Sequence, residues 1–528
     1  MTNERGSDRR TVLRLAALAG VAVTTGCGTG GNGATPLPSK TPSIARNPQG
    51  PTPTPVRPSA SPPTFSPSPV PAPTATAPPT PIATARATAP AAADWNALSK
   101  GLRGDLLRSG PAYDTGRTLF NPRYDNVKPA AVVRCAEPAD VAESIAFARR
   151  FGLPIVSRSG GHSYVGASTR AGGMVLDVRP MADITVGSGT ARIGAGAQLE
   201  SVYSILGARG RVVPGGTCPT VGIAGLALGG GEGLATRKFG LTCDAIQSLQ
   251  LVTADGKIRT VDANHDPELY WACRGGGGGT FGVVTAFQMK TFPSPTFSSF
   301  RATWSWSNAG AVLRGWQNRM RAVGDNVWAN LHLQTTSGGS RSAVVFGVTY
   351  DNDPNDQLAK LVAAVGKDPS GTSIRRNRKL GPLGGSDRVT FFAGSDVLKA
   401  PIPAAGIDAV LAVVNRAVAA KLQADAIFDP LGGAAGRVGA DATAFPWRSA
   451  FATIQWYAER GRTTTAAAEK WVSDSHASVR ASSAGAYVNY LEPSRPGAHP
   501  YFGTHLKRLR AVKAKYDPGN VFRPGYVL

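Results

Sequence analysis

From Pro129 onward the chain alternates short apolar runs with glycine and polar breaks. Ala131-Val132-Val133-Arg134 reads as a strand, and Pro138 then opens a helix in which Val141, Ile145 and Ala148 recur at helical spacing before Gly152 stops it. Pro154-Ile155-Val156-Ser157 is the next strand, running directly into Ser159-Gly160-Gly161-His162-Ser163. Leu249–Val252 and Ile258–Val261 flank Asp255-Gly256, the signature of a β-hairpin. Hairpins mixed with helices predict an α+β fold rather than a doubly wound parallel sheet. Between about Phe297 and Ser483 the texture changes. Strand-like runs at Val327–His332 and Val344–Tyr350 alternate with helical stretches such as Ile407–Lys421, which predicts an antiparallel sheet backed by helices, with its Trp and Phe residues in the core.

The first ninety residues follow other rules. Arg9-Arg10 precedes a short apolar stretch, Leu15–Val23, and then Thr24-Thr25-Gly26-Cys27. A basic start, a short apolar core and small residues mark an export signal of twin-arginine type. The small residues before Cys27 also resemble a lipobox, whose cysteine becomes the lipidated first residue of the mature protein. Residues 1–27 are therefore read as the signal, with a plain cleaved signal as the alternative to lipidation. Residues 28–93, rich in Pro, Thr and Ala, form an expected disordered stalk, since such composition favours an extended spacer over a packed core.

Composition narrows the partners. The 528 residues carry a net charge of +23 and 5 Cys, too few for a disulfide framework. The basic clusters Arg375–Lys379 and Lys507–Arg510 lack interleaved aromatics, so nucleic acid is not expected. The excess charge fits either attraction to anionic wall polymers or headgroups, or a plain arginine bias. A membrane is expected only through a lipid anchor at Cys27, and the protein is read as an exported monomer.

The 63 glycines are the strongest chemical signal. Runs at Pro214–Gly233 and Arg274–Gly279 suit close backbone approach and amide nests for a diphosphate, which points to a nucleotide. Gly277–Gly282 matches G-x-G-x-x-G by letter, yet it follows a helix-like segment, Pro267–Cys273, and precedes a strand. The dinucleotide fingerprint needs the reverse order. No P-loop, H-E-x-x-H or paired C-x-x-C occurs, so a metal centre has no sequence support.

Taken together, Arg158–Tyr164, Gly216–Gly222, Gly229–Gly231, Arg237–Leu241, Arg274–Gly282 and Tyr516–Phe522 resemble, in order and spacing, the berberine-bridge-enzyme-like FAD-linked oxidases of the PCMH-type superfamily. The resemblance runs from about Lys128 to the C-terminus. It implies an FAD-binding domain at 94–295 in two subdomains, a substrate domain at 296–483, and a C-terminal segment, 484–528, returning to the first. It implies FAD attached twice, at His162 and Cys218, and held also by Arg158, Ser159, Gly160, Gly161, Ser163, Val221, Gly222, Gly225, Gly229, Gly230, Gly282, Val283 and Asn520. Cys135, Cys243 and Cys273 are left as buried thiols.

The implied reaction oxidises a hydroxyl group of a sugar, oligosaccharide or small secondary metabolite by hydride transfer. In the family the base that takes the hydroxyl proton is a tyrosine of lowered pKa or a carboxylate; the resemblance points to Tyr490 first, then Tyr487. If their segment is a strand, the two side chains point to opposite faces. Tyr164 supports or contacts the substrate. Gln455 stands where alkaloid-cyclising members carry a carboxylate, and a Gln cannot act as a base. Glu232 replaces a Tyr of plant members and is either an added active-site carboxylate or solvated. Trp447 and His505 are further departures. Val221 matches a position where a small side chain leaves flavin open to O2, so an oxidase giving H2O2 is expected. The alternatives are a dehydrogenase using another acceptor and a non-catalytic wall-associated binding lipoprotein.

Overall fold

The computed structural model describes residues 88–459, 463–526 and 528. The expected signal and the stalk up to residue 87 lie outside them. The first helix, Ala92–Gly101, begins two residues inside the expected stalk, and its Trp95 and Leu98 are buried.

Three principal sheets carry the molecule. The first has four strands in the spatial order Asp105–Leu107, Ala131–Arg134, Met174–Asp177, Ile155–Arg158, and the last three are parallel. The helix Pro138–Phe151 crosses between the Ala131 and Ile155 strands. Pro138 sits where its missing N–H costs nothing, and Gly152 ends the helix at φ 64°, a left-handed angle that suits glycine. This parallel ladder was not predicted; what the sequence offered was the strand–helix–strand unit that produces it. The second sheet is antiparallel: Ile184–Val186, Thr190–Gly194, Val283–Lys290, Ile246–Val252, Ile258–Asp262. Its last two strands are the expected hairpin, with Val252 opposite Ile258 and Gly256 at φ 80°.

The third sheet has eight antiparallel strands, from Gly371–Lys379 at one edge through Thr296–Ser305, Arg341–Thr349, Val327–Thr335, Gln423–Pro430, Ala452–Glu459 and Phe391–Leu398 to Ser483–Gly485. Period-two alternation gives it two unlike faces. Leu331, Leu333, Phe428, Ile454 and Trp456 pack against the helices Ala309–Ala322, Ala404–Ala419 and Thr465–Ser475. Trp304, Trp316 and Trp456 are fully buried there, as core rather than ligand platform. The opposite face carries Asn330, His332, Asp425, Ile427, Thr453 and Gln455 and looks toward the glycine loops.

The chain change at 295/296 separates sheets but not cores: Trp328, Val348 and Tyr350 belong to the same buried cluster as Leu199, Leu234 and Phe297. After Gly485 the chain leaves the large sheet. Its helix Leu506–Tyr516 packs on Pro267–Ala272, where Arg508 meets Glu268 at 2.6 Å and Tyr516 donates to Asp266 at 2.6 Å.

Candidate flavin and substrate site

One cavity is lined by the loop 156–164, by Gly216–Cys218, Val221, Gly222, Gly225 and Glu232, by Gly277–Gly279 and Gly282–Val284, and by the C-terminal residues 488–491 and 523–526. Four segments distant in sequence meet there.

Arg158 closes the strand Ile155–Arg158 and is 2% exposed. Its Nη2 pairs with Asp177 at 2.8 Å, while its Nε and Nη1 are buried without a partner. Ser159 Oγ donates to the Ala195 carbonyl at 2.7 Å. Beyond it the 159–161 and 220–222 loops pass backbone to backbone. A Cβ on Gly160 would lie 2.2 Å from the Gly222 nitrogen, and one on Gly222 would lie 2.0 Å from Ser159 Oγ. Only glycine fits either position. His162 is stacked on Phe120 at 3.9 Å, and its Nε2 lies 2.8 Å from Thr220 Oγ1. Burial pushes its pKa down to about 3, so the imidazole is neutral at any physiological pH. Cys218, 7% exposed, lines the same cavity with Ser163, Val221, Gly225, Gly282 and Val283.

FAD fits these residues. The orphaned N–H groups of Arg158 need an acceptor, and a wall of side-chain-free glycines lets a flat or diphosphate-bearing group reach the backbone.

Three expected cofactor contacts fall elsewhere. Gly229 and Gly230 do not line the cavity. A Cβ on Gly229 would strike Asn489 Oδ1 at 2.0 Å, and one on Gly230 would strike Phe445 at 2.8 Å, so both make room for other side chains. Asn520 is exposed in the turn after the last helix, at φ 47°.

The catalytic candidates sit at the other wall. Tyr164 and Tyr490 are stacked, their rings 5.1 Å apart and nearly parallel. Gln455 donates from Nε2 to the Tyr164 hydroxyl at 2.6 Å. Val488–Tyr490 is a short 3-10 turn and not a strand, so Tyr487 and Tyr490 do not diverge; their rings meet edge to face at 5.0 Å. Tyr487 lies behind the cavity wall, where its hydroxyl oxygen accepts from Gly231 N–H and Asn489 Nδ2, each at 2.9 Å. The expected lowered tyrosine pKa is not found. Burial pushes Tyr490 well up, and the neighbouring Tyr164, Asp429 and Glu232 push the same way. Burial likewise raises Tyr164 and Tyr487.

Glu232 is half-buried at the cavity wall. Its Oε2 accepts from Thr453 Oγ1 at 2.7 Å, and its Oε1 is buried without a partner. Burial, followed by the charge of Asp429, raises its pKa to about 8. Of the two other departures, Trp447 donates to the Ala486 carbonyl at 2.9 Å and His505 sits 3.2 Å from Asp441; both serve packing of the C-terminal segment.

Sequence reasoning missed Asn330, His332, Asp425 and Asp429. All four stand on the cavity-side face of the large sheet, and burial raises Asp429 to about 6. The available signal was polar residues at every second position of otherwise apolar strands: Asn330 and His332 in VWANLHLQT, Asp425 and Asp429 in QADAIFDP.

A parallel-sheeted loop cradle facing a broad antiparallel sheet defines a flavoprotein of the PCMH type. The comparisons agree. Residues 129–262 match the FAD binding domain model and 486–524 the berberine and berberine like model. The chain is 33% identical to the uncharacterized FAD-linked oxidoreductase YgaK of Bacillus subtilis over 438 residues, covering 79% of this chain and 95% of that one. It superposes on Physcomitrella patens BBE-like 1 with a TM-score of 0.74 at 28% identity, over 82% of this chain and 98% of the other. On wild-type Phl p 4.0202, a glucose dehydrogenase, the TM-score is 0.72 at 25% identity, over 82% and 98%. The chain belongs to the berberine-bridge-enzyme-like family of FAD-linked oxidoreductases and is an enzyme.

Proposed function

We propose that the chain is an oxidase that takes hydride from a hydroxyl-bearing carbon of a sugar, oligosaccharide or small secondary metabolite, with O2 as the acceptor and H2O2 as the product. The carrying observation is that His162 and Cys218 share one cavity with Glu232, Tyr164 and Tyr490. FAD, when bound, supplies the two-electron acceptor. The chain holds it through the glycine loops and Arg158, with covalent links at His162 and Cys218. The neutral, buried imidazole of His162 keeps a lone pair available for bond formation.

The hydroxyl proton goes to the Glu232 carboxylate, held in place by Thr453. Among the candidates, Glu232 has the pKa nearest neutrality, which suits a general base. Tyr490 and Tyr164 form the stacked wall that orients the substrate. Val221 at the cavity favours access by O2; a dehydrogenase is the second reading, because a solved relative carries the name glucose dehydrogenase. We further assign export to the twin-arginine segment, with a lipid anchor at Cys27 and a monomeric enzyme beyond the stalk.

The test is acid precipitation of the purified protein with in-gel flavin fluorescence, together with a substrate screen read by peroxide. Flavin is expected to stay with the precipitated wild type and with each of the single variants His162→Ala and Cys218→Ala, and to be released only from the double variant. Flavin lost from the wild type overturns double attachment. Flavin reduced by a substrate but not reoxidised in air selects the dehydrogenase, and no flavin reduction by any alcohol selects a binding protein without turnover.

A further inference from the structure

The cavity-side face of the large sheet holds a polar row that neither flavin binding nor proton removal uses. Across the strands His332 stands opposite Ile427, Ile427 opposite Gln455, and Asp429 opposite Thr453, so these positions share one face with Asn330 and Asp425. The row lies just behind the wall of the reaction cavity. Thr453 bonds Glu232 and Gln455 bonds Tyr164, and both of those partners line the cavity.

Five atoms in the row are buried without a partner: Asn330 Oδ1, His332 Nε2, Asp425 Oδ1, Asp429 Oδ1 and Gln455 Oε1. Asn330, His332, Asp429 and Gln455 are each at most 4% exposed. His332 Nδ1 lies 2.6 Å from Asp425 Oδ2 and donates to it. Four of the five orphans are oxygens and therefore acceptors, and the missing partner must bring donors. Asp429 makes no ion pair among the described residues. Asn330 hydrogen-bonds to its carboxyl, and His332 and Asp425 are the ionisable neighbours acting on it. Among the described residues no Lys or Arg pairs with either aspartate, and Asp425 meets His332. A buried carboxylate without a cation is an unstable arrangement unless a ligand completes it.

We propose that this row binds the ammonium group of an amine-bearing alcohol, an amino sugar or its oligomer, and so sets the substrate class of the reaction. The ammonium brings positive charge and three donors to Asp429 and Asp425, while ring hydroxyls donate to Asn330 and Gln455. A neutral sugar could fill the acceptors but would leave the Asp429 charge uncompensated. The inference rests on the oxidase reading, since it is the substrate of that reaction that the row selects.

The test titrates the holoenzyme under anaerobic conditions with three matched disaccharides: fully deacetylated chitobiose, its N-acetylated form and cellobiose. Binding is followed by calorimetry and reduction by flavin bleaching. Chitobiose amine is expected to bind at least tenfold more tightly than cellobiose. Asp429→Asn should remove that preference. Glu232→Gln should keep the preference while slowing bleaching. Equal binding of the amine and cellobiose by the wild type overturns the proposal, as does a preference that survives Asp429→Asn. Bleaching by cellobiose alone overturns the amine class and leaves the oxidase standing. Amine-selective binding with no bleaching by any sugar supports the row and overturns the oxidase. The wild-type comparison of ligands stands even if a variant fails to fold.

Discussion

At the level of single residues, the proposed base Glu232 and the cradle glycine Gly222 each carry a testable consequence. A base must be ionised to accept a proton, and Glu232 is neutral below about 8 because burial disfavours its charge. The rate of flavin reduction in stopped flow is therefore expected to rise with pH up to about 8 and to level off above it. Glu232→Gln should cut that rate by roughly 10²–10⁴, the usual range for losing a general base, whereas Tyr490→Phe should alter substrate affinity more than rate. A tenfold or smaller loss in Glu232→Gln, with the large loss in Tyr490→Phe, would return the proton to the tyrosine. Gly222→Ala would drive a methyl group into Ser159 and the Gly160 nitrogen. The expected outcome is protein with little bound flavin, measured by the ratio of visible to ultraviolet absorbance.

Among the elements, the turn that presents Tyr490 is held by charges rather than by strand pairing. Glu492, two residues on, is buried and meets His476 Nε2 at 2.8 Å, while His476 Nδ1 meets the buried Asp396 of the large sheet at 2.6 Å. Arg495 lies 3.4 Å from Asp396 and 3.5 Å from Glu492, and Trp456 and Ser483 donate to Asp396. Burial alone would lower the His476 pKa, but the two hydrogen-bonded carboxylates outweigh it and raise it. A raised histidine contributes stability that is complete below its unfolded value, about 6.5, and is lost as pH rises through the folded value. Thermal stability is thus expected to fall as pH rises above about 6.5, less so in His476→Gln. That variant should also be less stable at low pH by about 3–5 kcal/mol, because two buried carboxylates lose a partner. A melting curve of His476→Gln that matches wild type at pH 6 would remove the cluster from this role.

At the scale of the whole molecule, the two lobes share one hydrophobic cluster, and the C-terminal helix is tied back to the first lobe by Arg508–Glu268 and by Lys513, which donates to the Thr280 and Phe522 carbonyls. Residues 88–528 are accordingly expected to unfold in urea as one cooperative transition, with tryptophan fluorescence and flavin signals coincident; two separated transitions would mean independent lobes. Much of this organisation is legible along the chain. The hairpin at Asp255-Gly256, the helix bounded by Pro138 and Gly152, and the antiparallel strands of the second half follow from local rules of turn geometry and period. So do the glycine loops, because glycine density reports close backbone approach wherever it occurs. The parallel pairing of the Ala131, Ile155 and Met174 strands, the 3-10 turn under Tyr490 and the burial of Glu232 do not. Each depends on what lies across from it, and a pKa is set by desolvation and neighbours contributed from far along the chain. The polar row is the clearest case: in sequence, Asn330, His332, Asp425, Asp429 and Gln455 are isolated polar positions in three separate strands. The sequence by itself determined a family, a cofactor and a two-faced sheet. Only the tertiary structure decided which polar residues lose their water together, because that follows from strand order and register, and those are long-range.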